Sequence, residues 1–355
     1  MRVIMAGGGT GGHLFPGLAV ARALKEQNNM TEILFVGTAH GIEARVLPRE
    51  GFPLETLTVK GIKGRGVRGA AEALWHVPVS LLRSLEIIGR FKPDCIVGLG
   101  GYASGPLLLA GRIRAIPCAI IEQNVRPGLT NRILGKVANR IFVTYQQSSA
   151  FFPPERVIAT GNPVRWRELP QVARSEKFTL LVFGGSTGAH KINLSIIEAL
   201  EKMRDLAPDL KIMHQTGERD FVRVKQLYAT LPFDVEVFPF IERMNEAYAR
   251  ADLIFCRSGA TTIAELTAYG KPALLVPYPY AAYDHQRRNA EALRQQGAAE
   301  MILDRDLSGE KLAAALRALH RDRERTTAMA QAARKLGKPD AAQRIAEECC
   351  KLVQA

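Results

Sequence analysis

Short apolar, β-rich runs recur along the chain. Each is followed by a glycine-rich or polar turn and then by a helix-length stretch. The runs end near Ala6, Val36, Val97, Ile121, Val143, Phe183, Met213, Phe238, Cys256 and Val276. Between them, segments such as 17–27, 129–137 and 261–269 carry helical patterns. That alternation predicts parallel sheets in βαβ units. It breaks once, at Gly161-Asn162-Pro163-Val164-Arg165 and Leu169-Pro170, and restarts at Phe178. A boundary there gives a first domain, 1–163, and a second, 164–340. The stretch 341–353 reads as one more helix, so 341–355 is expected to rejoin the first domain. A chain of 355 residues is long for one core, which agrees with two domains.

Composition narrows the class. Apolar content of 47% and charged content of 23% are ordinary for a globular protein. No apolar run approaches the roughly 18 residues of a spanning helix. The first residues read as a strand and a turn, not as the apolar centre of a secretory signal. The net charge of +13 calls for an anionic partner: nucleic acid, acidic lipid or a phosphorylated substrate. Nucleic acid is not expected, since the chain shows no zinc, helix-turn-helix or RRM signature and only 7% aromatic residues. Cysteines 95, 118, 256, 349 and 350 lack metal-ligand spacing and read as reduced, structural thiols.

Three glycine loops carry the candidate chemistry. Gly7-Gly8-Gly9-Thr10-Gly11-Gly12-His13 follows the first apolar run, Gly98-Leu99-Gly100-Gly101-Tyr102-Ala103-Ser104-Gly105-Pro106 follows the run ending at Val97, and Gly184-Gly185-Ser186-Thr187-Gly188 follows Phe183. Glycine lets backbone N–H groups approach a ligand, and a helix starting after the turn adds its positive dipole end. Such loops can also be mere tight turns. Their presence in both halves points to two phosphate-bearing molecules. Gly7, Gly9 and Gly12 satisfy G-x-G-x-x-G, but a NAD site also needs an acid ending the second strand. Here Phe35-Val36-Gly37-Thr38-Ala39 has none, and no G-x-x-x-x-G-K-[ST] loop occurs, which excludes a dehydrogenase and a P-loop kinase.

In the second half, Ser258-Gly259-Ala260-Thr261-Thr262 precedes a helix bearing Glu265. Small and hydroxyl residues at a helix start suit a diphosphate. Glu265 reads either as an acceptor for two ribose hydroxyls or as a solvated helix glutamate. Gln286, in Asp284-His285-Gln286, reads as a sugar contact or as part of a plain helix start capped by Asp284.

Taken together, Gly8-Gly9-Thr10-Gly11-Gly12-His13, Gly100-Gly101-Tyr102, Glu122-Gln123-Asn124, Gly161-Asn162-Pro163-Val164-Arg165, Gly184-Gly185-Ser186, the 258–265 segment and Asp284-His285-Gln286 resemble a family of bacterial peptidoglycan glycosyltransferases. Its members add N-acetylglucosamine from UDP-N-acetylglucosamine to undecaprenyl-diphospho-muramoyl-pentapeptide (lipid I), making lipid II. The likeness runs from residue 2 to about residue 350, in order.

The resemblance implies the GT-B fold, two Rossmann-like doubly wound parallel-sheet domains facing a central cleft. It implies that Phe240 and Ile241 border the uracil, with backbone hydrogen bonds from Ile241, and that Glu265 holds the ribose. Ser186, Arg165, Ala260, Thr261 and Thr262 would hold the diphosphate. Gln286, Thr10, Gly11, Gly12 and Asn124 would meet the sugar. The loop at 7–13 and the one holding Gly100, Gly101 and Tyr102 would receive the acceptor's diphosphate. His13, with its suitable intrinsic pKa, and Glu122 are rival general bases. No paired-carboxylate magnesium site is evident, so neither metal nor other cofactor is expected. Arg287 stands where some members have a second glutamine, and the 60–66 loop is unusually basic.

A lipid-borne acceptor implies a peripheral protein at the cytoplasmic face of the cell membrane. Residues 70–91 carry two apolar stripes: Leu74, Val77, Leu81, Leu85 and Ile88, and about 100° away Trp75, Val79 and Leu82. With Lys60, Lys63, Arg65, Arg68, Arg83, Arg90 and Lys92 nearby, the second stripe reads as a docking patch for an anionic membrane surface. One wide buried face is the alternative, and Pro78 is expected to interrupt the helix. The rival function is a UDP-N-acetylglucosamine 2-epimerase of similar build.

Overall fold

The computed structural model describes residues 1–58, 66–173 and 175–354, apart from the side chains of residues 66–77 and of Ala282. The chain forms two units. The first comprises Met1–Arg165 and Asp340–Ala355, the second Trp166–Pro339. Arg165 therefore lies in the first unit.

The first unit holds strands β1 (Arg2–Gly7), β2 (Glu32–Gly37), β3 (Leu54–Thr56), β4 (Cys95–Gly100), β5 (Cys118–Glu122), β6 (Arg140–Val143) and β7 (Val157–Ala159). They form one parallel sheet in the order β3-β2-β1-β4-β5-β6-β7. The second holds β8 (Phe178–Phe183), β9 (Leu210–Gln215), β10 (Asp234–Phe238), β11 (Leu253–Cys256), β12 (Ala273–Leu275) and β13 (Ala299–Met301). These also run parallel, in the order β10-β9-β8-β11-β12-β13.

Every apolar run in the sequence is a strand. The strands the pattern misses, β3, β7 and β13, are all three-residue strands at sheet edges. An edge strand pairs on one side only and is partly exposed, so no continuous apolar run marks it. The central strands are mostly apolar because both faces are covered. Along β1, Val3 and Met5 join one core with Leu14 and Leu18. Ile4 and Ala6 join the other with Ile87 and Leu107. Each such fully buried aliphatic side chain contributes roughly 1.5–3 kcal/mol.

Helix boundaries differ from expectation where glycine loops start them. The first helix spans Gly11–Gln27, beginning inside the loop, so His13 sits in its first turn. The Ala341–Gln354 helix packs on it, and Ile345, Ala346 and Cys349 fill the core that Val3 and Leu18 share. The helix Gly66–Phe91 continues through Pro78. The missing N–H is outweighed by the burial of its later turns, where Ser84, Ile87 and Ile88 are inaccessible or nearly so. Cys95, Cys118 and Cys256 lie buried in strands, and all five cysteines are free.

Candidate active site

Strand order reverses beside β1 and β4 in the first unit and beside β8 and β11 in the second. Open parallel sheets bind ligands beyond the carboxyl ends of the strands at such points. The glycine loops stand there.

In the first unit the loops after β1 and β4 interlock. Gly8 has φ of +151°, and a Cβ on Gly101 would lie 2.9 Å from the Gly8 carbonyl oxygen. The Ser104 hydroxyl, fully buried, lies 2.6 Å from the Ala6 carbonyl oxygen and 2.9 Å from that of Gly100, and accepts from the Gly100 N–H at 3.2 Å. His13 is half-buried against Gly100, where a Cβ would sit 2.9 Å from its Cδ2. Its Nδ1 lies 3.3 Å from the Thr10 hydroxyl. Thr10 and Gly12 are exposed, and Tyr102 is half exposed.

Glu122 ends β5 and is buried. One oxygen accepts from the Asn124 N–H (2.9 Å) and its side-chain amide (3.4 Å). The other accepts from Asn131 Nδ2 (2.9 Å) and the Gly128 N–H (3.3 Å). Burial raises its pKa, opposed by these hydrogen bonds. Asn124 is held in turn by its carbonyl, which accepts from the Ser148 hydroxyl at 2.9 Å. The Arg165 guanidinium stacks over the Phe15 ring, 4.2 Å from its centroid.

In the second unit, Gly188, at φ of +77°, leaves no room for a Cβ beside the Thr216 carbonyl. Ser186 is half-buried on this loop. Gln215, at the end of β9, ties two neighbours together. Its amide donates to the Gly185 carbonyl at 2.9 Å, and its oxygen accepts from the Ile241 N–H at 2.8 Å. With that N–H engaged, the backbone group Ile241 offers a ligand in this arrangement is its carbonyl. Phe240 is half-buried beside it.

The helix Ala260–Tyr269 begins after β11, with Thr261 and Thr262 half-buried in its first turn. Glu265 is 3% exposed and accepts from the Tyr248 hydroxyl at 3.0 Å, so it is no solvated glutamate. Ser258 donates to the Gln286 carbonyl at 2.8 Å, and Asn289 donates to the Ser258 carbonyl at 3.2 Å. The Gln286 side-chain oxygen accepts from the Tyr278 N–H at 3.0 Å. Gln286 thus links the loop after β12 to the helix His285–Gln295. Asp284 does not cap that helix with its side chain. Asp284 and Tyr283 both take left-handed backbone conformations, with φ of 56°. Arg257, buried, binds Asp304 at 2.6 Å and the Val276 and Pro277 carbonyls at 3.2 and 3.1 Å, fixing the base of this loop.

Pattern reading missed Glu43 and Gln215, and placed Ser104 in the glycine loop after Val97 without a role of its own. Glu43 lies in a four-residue helix and Gln215 extends a run that reads as ending at Met213. Glycines 37 and 41 flanking Glu43 were the available signal. Of the apolar patch, Val79 and Leu82 are 56% and 68% exposed, while Trp75 lies outside the described side chains. Among the described cations, Arg83 pairs with Glu86 and Glu55, and Arg90 with Glu55. No described helix is long and apolar enough to cross a membrane.

Residues 3–143 match the glycosyltransferase family 28 N-terminal domain, and residues 179–345 match its C-terminal domain. The chain is 49% identical over 355 residues to the Geobacter sulfurreducens UDP-N-acetylglucosamine--N-acetylmuramyl-(pentapeptide) pyrophosphoryl-undecaprenol N-acetylglucosamine transferase, covering 98% of each. It superposes on the crystal structure of Acinetobacter baumannii MurG with a TM-score of 0.78 and 33% identity, covering 99% of both chains. A putative UDP-N-acetylglucosamine 2-epimerase from Listeria monocytogenes gives a TM-score of 0.71 over 97% of this chain and 94% of its own, but 15% identity, a likeness of fold alone. The chain has the GT-B fold of two parallel-sheet α/β units, and it belongs to glycosyltransferase family 28, among the N-acetylglucosaminyltransferases that its relatives represent.

Proposed function

We propose that the protein transfers N-acetylglucosamine from UDP-N-acetylglucosamine to the C4 hydroxyl of the muramoyl residue of undecaprenyl-diphospho-muramoyl-pentapeptide, with inversion. UDP and lipid II are the products. One observation carries this reading: near half of all positions are identical, across both units, to a transferase of that name. The bond formed joins sugar C1 to the acceptor O4, the bond broken joins C1 to the UDP oxygen, and the O4 proton passes to a base.

In this reading the second unit takes the donor. Glu265 accepts from the ribose hydroxyls, and the Ile241 carbonyl and Phe240 border the uracil. Ser186 and the first turn at Ala260, Thr261 and Thr262 supply donors to the diphosphate, joined by Arg165 of the first unit, stabilising charge as UDP departs. Gln286 meets the sugar, with Thr10, Gly11, Gly12 and Asn124 as the first unit's contributions. His13 is the base. Glu122, with both oxygens occupied by four donors, serves to position Asn124. Gly100, Gly101 and Tyr102 belong to the acceptor loop.

The first unit also docks to the membrane, at its cytoplasmic face. Three adjoining helices, Gly66–Phe91, Ser104–Ile113 and Leu129–Leu134, expose Val79, Leu82, Leu109, Ile113, Leu129 and Ile133. An apolar surface of this kind beside Arg112, Arg114 and Arg132 suits an anionic leaflet.

Labelled UDP-N-acetylglucosamine incubated with a lipid I analogue, with and without EDTA, tests the reaction. Disaccharide product insensitive to EDTA is expected. UDP-N-acetylmannosamine from the donor alone would show an epimerase instead. Vesicle co-sedimentation of the Leu82→Glu, Ile113→Glu double variant tests docking, with retained binding as the contrary result.

A further inference from the structure

Glu43 is fully buried, yet its carboxylate touches no catalytic position assigned above. Oε2 accepts from the Gly9 N–H at 2.8 Å. Oε1 accepts from the Thr38 N–H at 2.8 Å and from its hydroxyl at 2.7 Å. Three glycines make room for it: a Cβ on Gly8 would lie 2.5 Å from Cδ, one on Gly37 2.8 Å from Cγ, and one on Gly41 would overlap the carboxylate itself. Glycines from two separate segments thus converge on one acid. Burying a carboxylate's charge costs several kcal/mol unless it is well bonded.

We propose that Glu43 is a positioning residue for the first glycine loop and, through it, for His13. The loop between β1 and the Gly11–Gln27 helix has no regular ladder to hold it. Glu43 supplies the missing acceptor at Gly9, one residue before the helix N-cap Thr10. The fixed Gly8 carbonyl packs against Gly101, and Gly100 packs against the His13 ring. The chain of contacts therefore runs from Glu43 through both glycine loops to the base. It also consumes the Gly9 N–H, so an acceptor diphosphate is met by the helix start at 11–13 rather than by the Gly9 amide.

Glu43→Gln is the selective probe. A carboxamide has one oxygen, and the two Thr38 donors draw it to the Oε1 position. The NH2 group then faces the Gly9 N–H, donor against donor. The kinetic arm rests on the transferase reading. There, kcat with a lipid I analogue is expected to fall about tenfold to a hundredfold, with the KM for UDP-N-acetylglucosamine unchanged. Thr38→Val, which keeps the Gly9 contact, should stay within about threefold of wild type in kcat.

Amide hydrogen exchange needs no turnover and separates failure of this inference from failure of the transferase reading. In the wild-type protein the Gly9 amide, on an exposed residue outside any strand or helix, should exchange at least about tenfold more slowly than an unprotected amide. Glu43→Gln should remove that protection. Free exchange at Gly9 in the wild-type protein overturns the proposal. So does a folded Glu43→Gln protein with wild-type kcat, or one whose loss is shared equally with UDP affinity in the other unit. Should Glu43→Gln fail to fold, the wild-type exchange rate still decides.

Discussion

The two units solve the same problem with an acid in one and a neutral amide in the other. Both bring glycine loops together at the point where strand order reverses. In the first, the side chain that reaches the loop is an internal carboxylate, Glu43 on the Gly9 N–H. In the second it is a neutral amide, Gln215 on the Gly185 carbonyl. A buried anion beside a loop amide repels a second anion there, whereas a carboxamide does not. On the proposed reading the second unit is the better diphosphate cradle, while Glu43 fixes the first loop to carry a side chain.

The largest test of that contrast is His13→Ala. It should lower kcat by about 10²–10⁴-fold and leave UDP affinity of the second unit intact, measured by turnover and calorimetry. A variant with near-normal turnover would move the base elsewhere. Next, Ile345→Ala should destabilise the first unit by about 2–5 kcal/mol and spare the second. The chain has two tryptophans, one in each unit, so Trp166→Phe and Trp75→Phe backgrounds report the two unfolding transitions separately.

Glu265→Gln should weaken UDP binding about tenfold to a hundredfold, because one ribose acceptor and the Tyr248 partner are altered together. Equal affinity would remove Glu265 from the ribose. Acid should also separate the units. Burial depresses His214 from 6.5 to about 3, where it bridges the Tyr228 hydroxyl and Asn193. Its contribution is complete above 6.5 and is lost as pH falls from there towards 3, at up to about 1.4 kcal/mol per pH unit. Glu122 has the opposite sign: burial raises its pKa, so its contribution is present at low pH and lost as pH rises through the folded value. The second unit should therefore melt first on acidification, and His214→Gln should flatten its acid limb. The smallest effect is expected of Asp284→Gly, which relieves a left-handed backbone. It should change stability by under about 1 kcal/mol while raising the KM for the donor through a looser loop.

The central strands were legible because burial on both faces leaves an apolar run, as in Leu253–Cys256. Edge strands such as Leu54–Thr56 were not, because they lack that double covering. The glycine loops and the Ser258–Glu265 constellation stood out as local spacing. What stayed hidden was set by distance in sequence. Gly9 and Glu43 are 34 residues apart, and Gln215 and Ile241 are 26 apart. No periodicity encodes which buried polar side chain will meet which loop. The identity of such a partner depends on which strand ends the sheet places side by side.

The return of the last helix to the first unit has a consequence for the order of assembly. Residues 166–339 are made before Ile345 and Cys349, so every residue of the second unit's core precedes the helix that closes the first unit. The first unit, begun earliest, is finished last, since the groove over Val3 and Leu18 waits for that helix. A nascent chain stalled short of residue 341 would present an apolar furrow beside the Gly11–Gln27 helix, the kind of surface that chaperones and proteases read as unfinished.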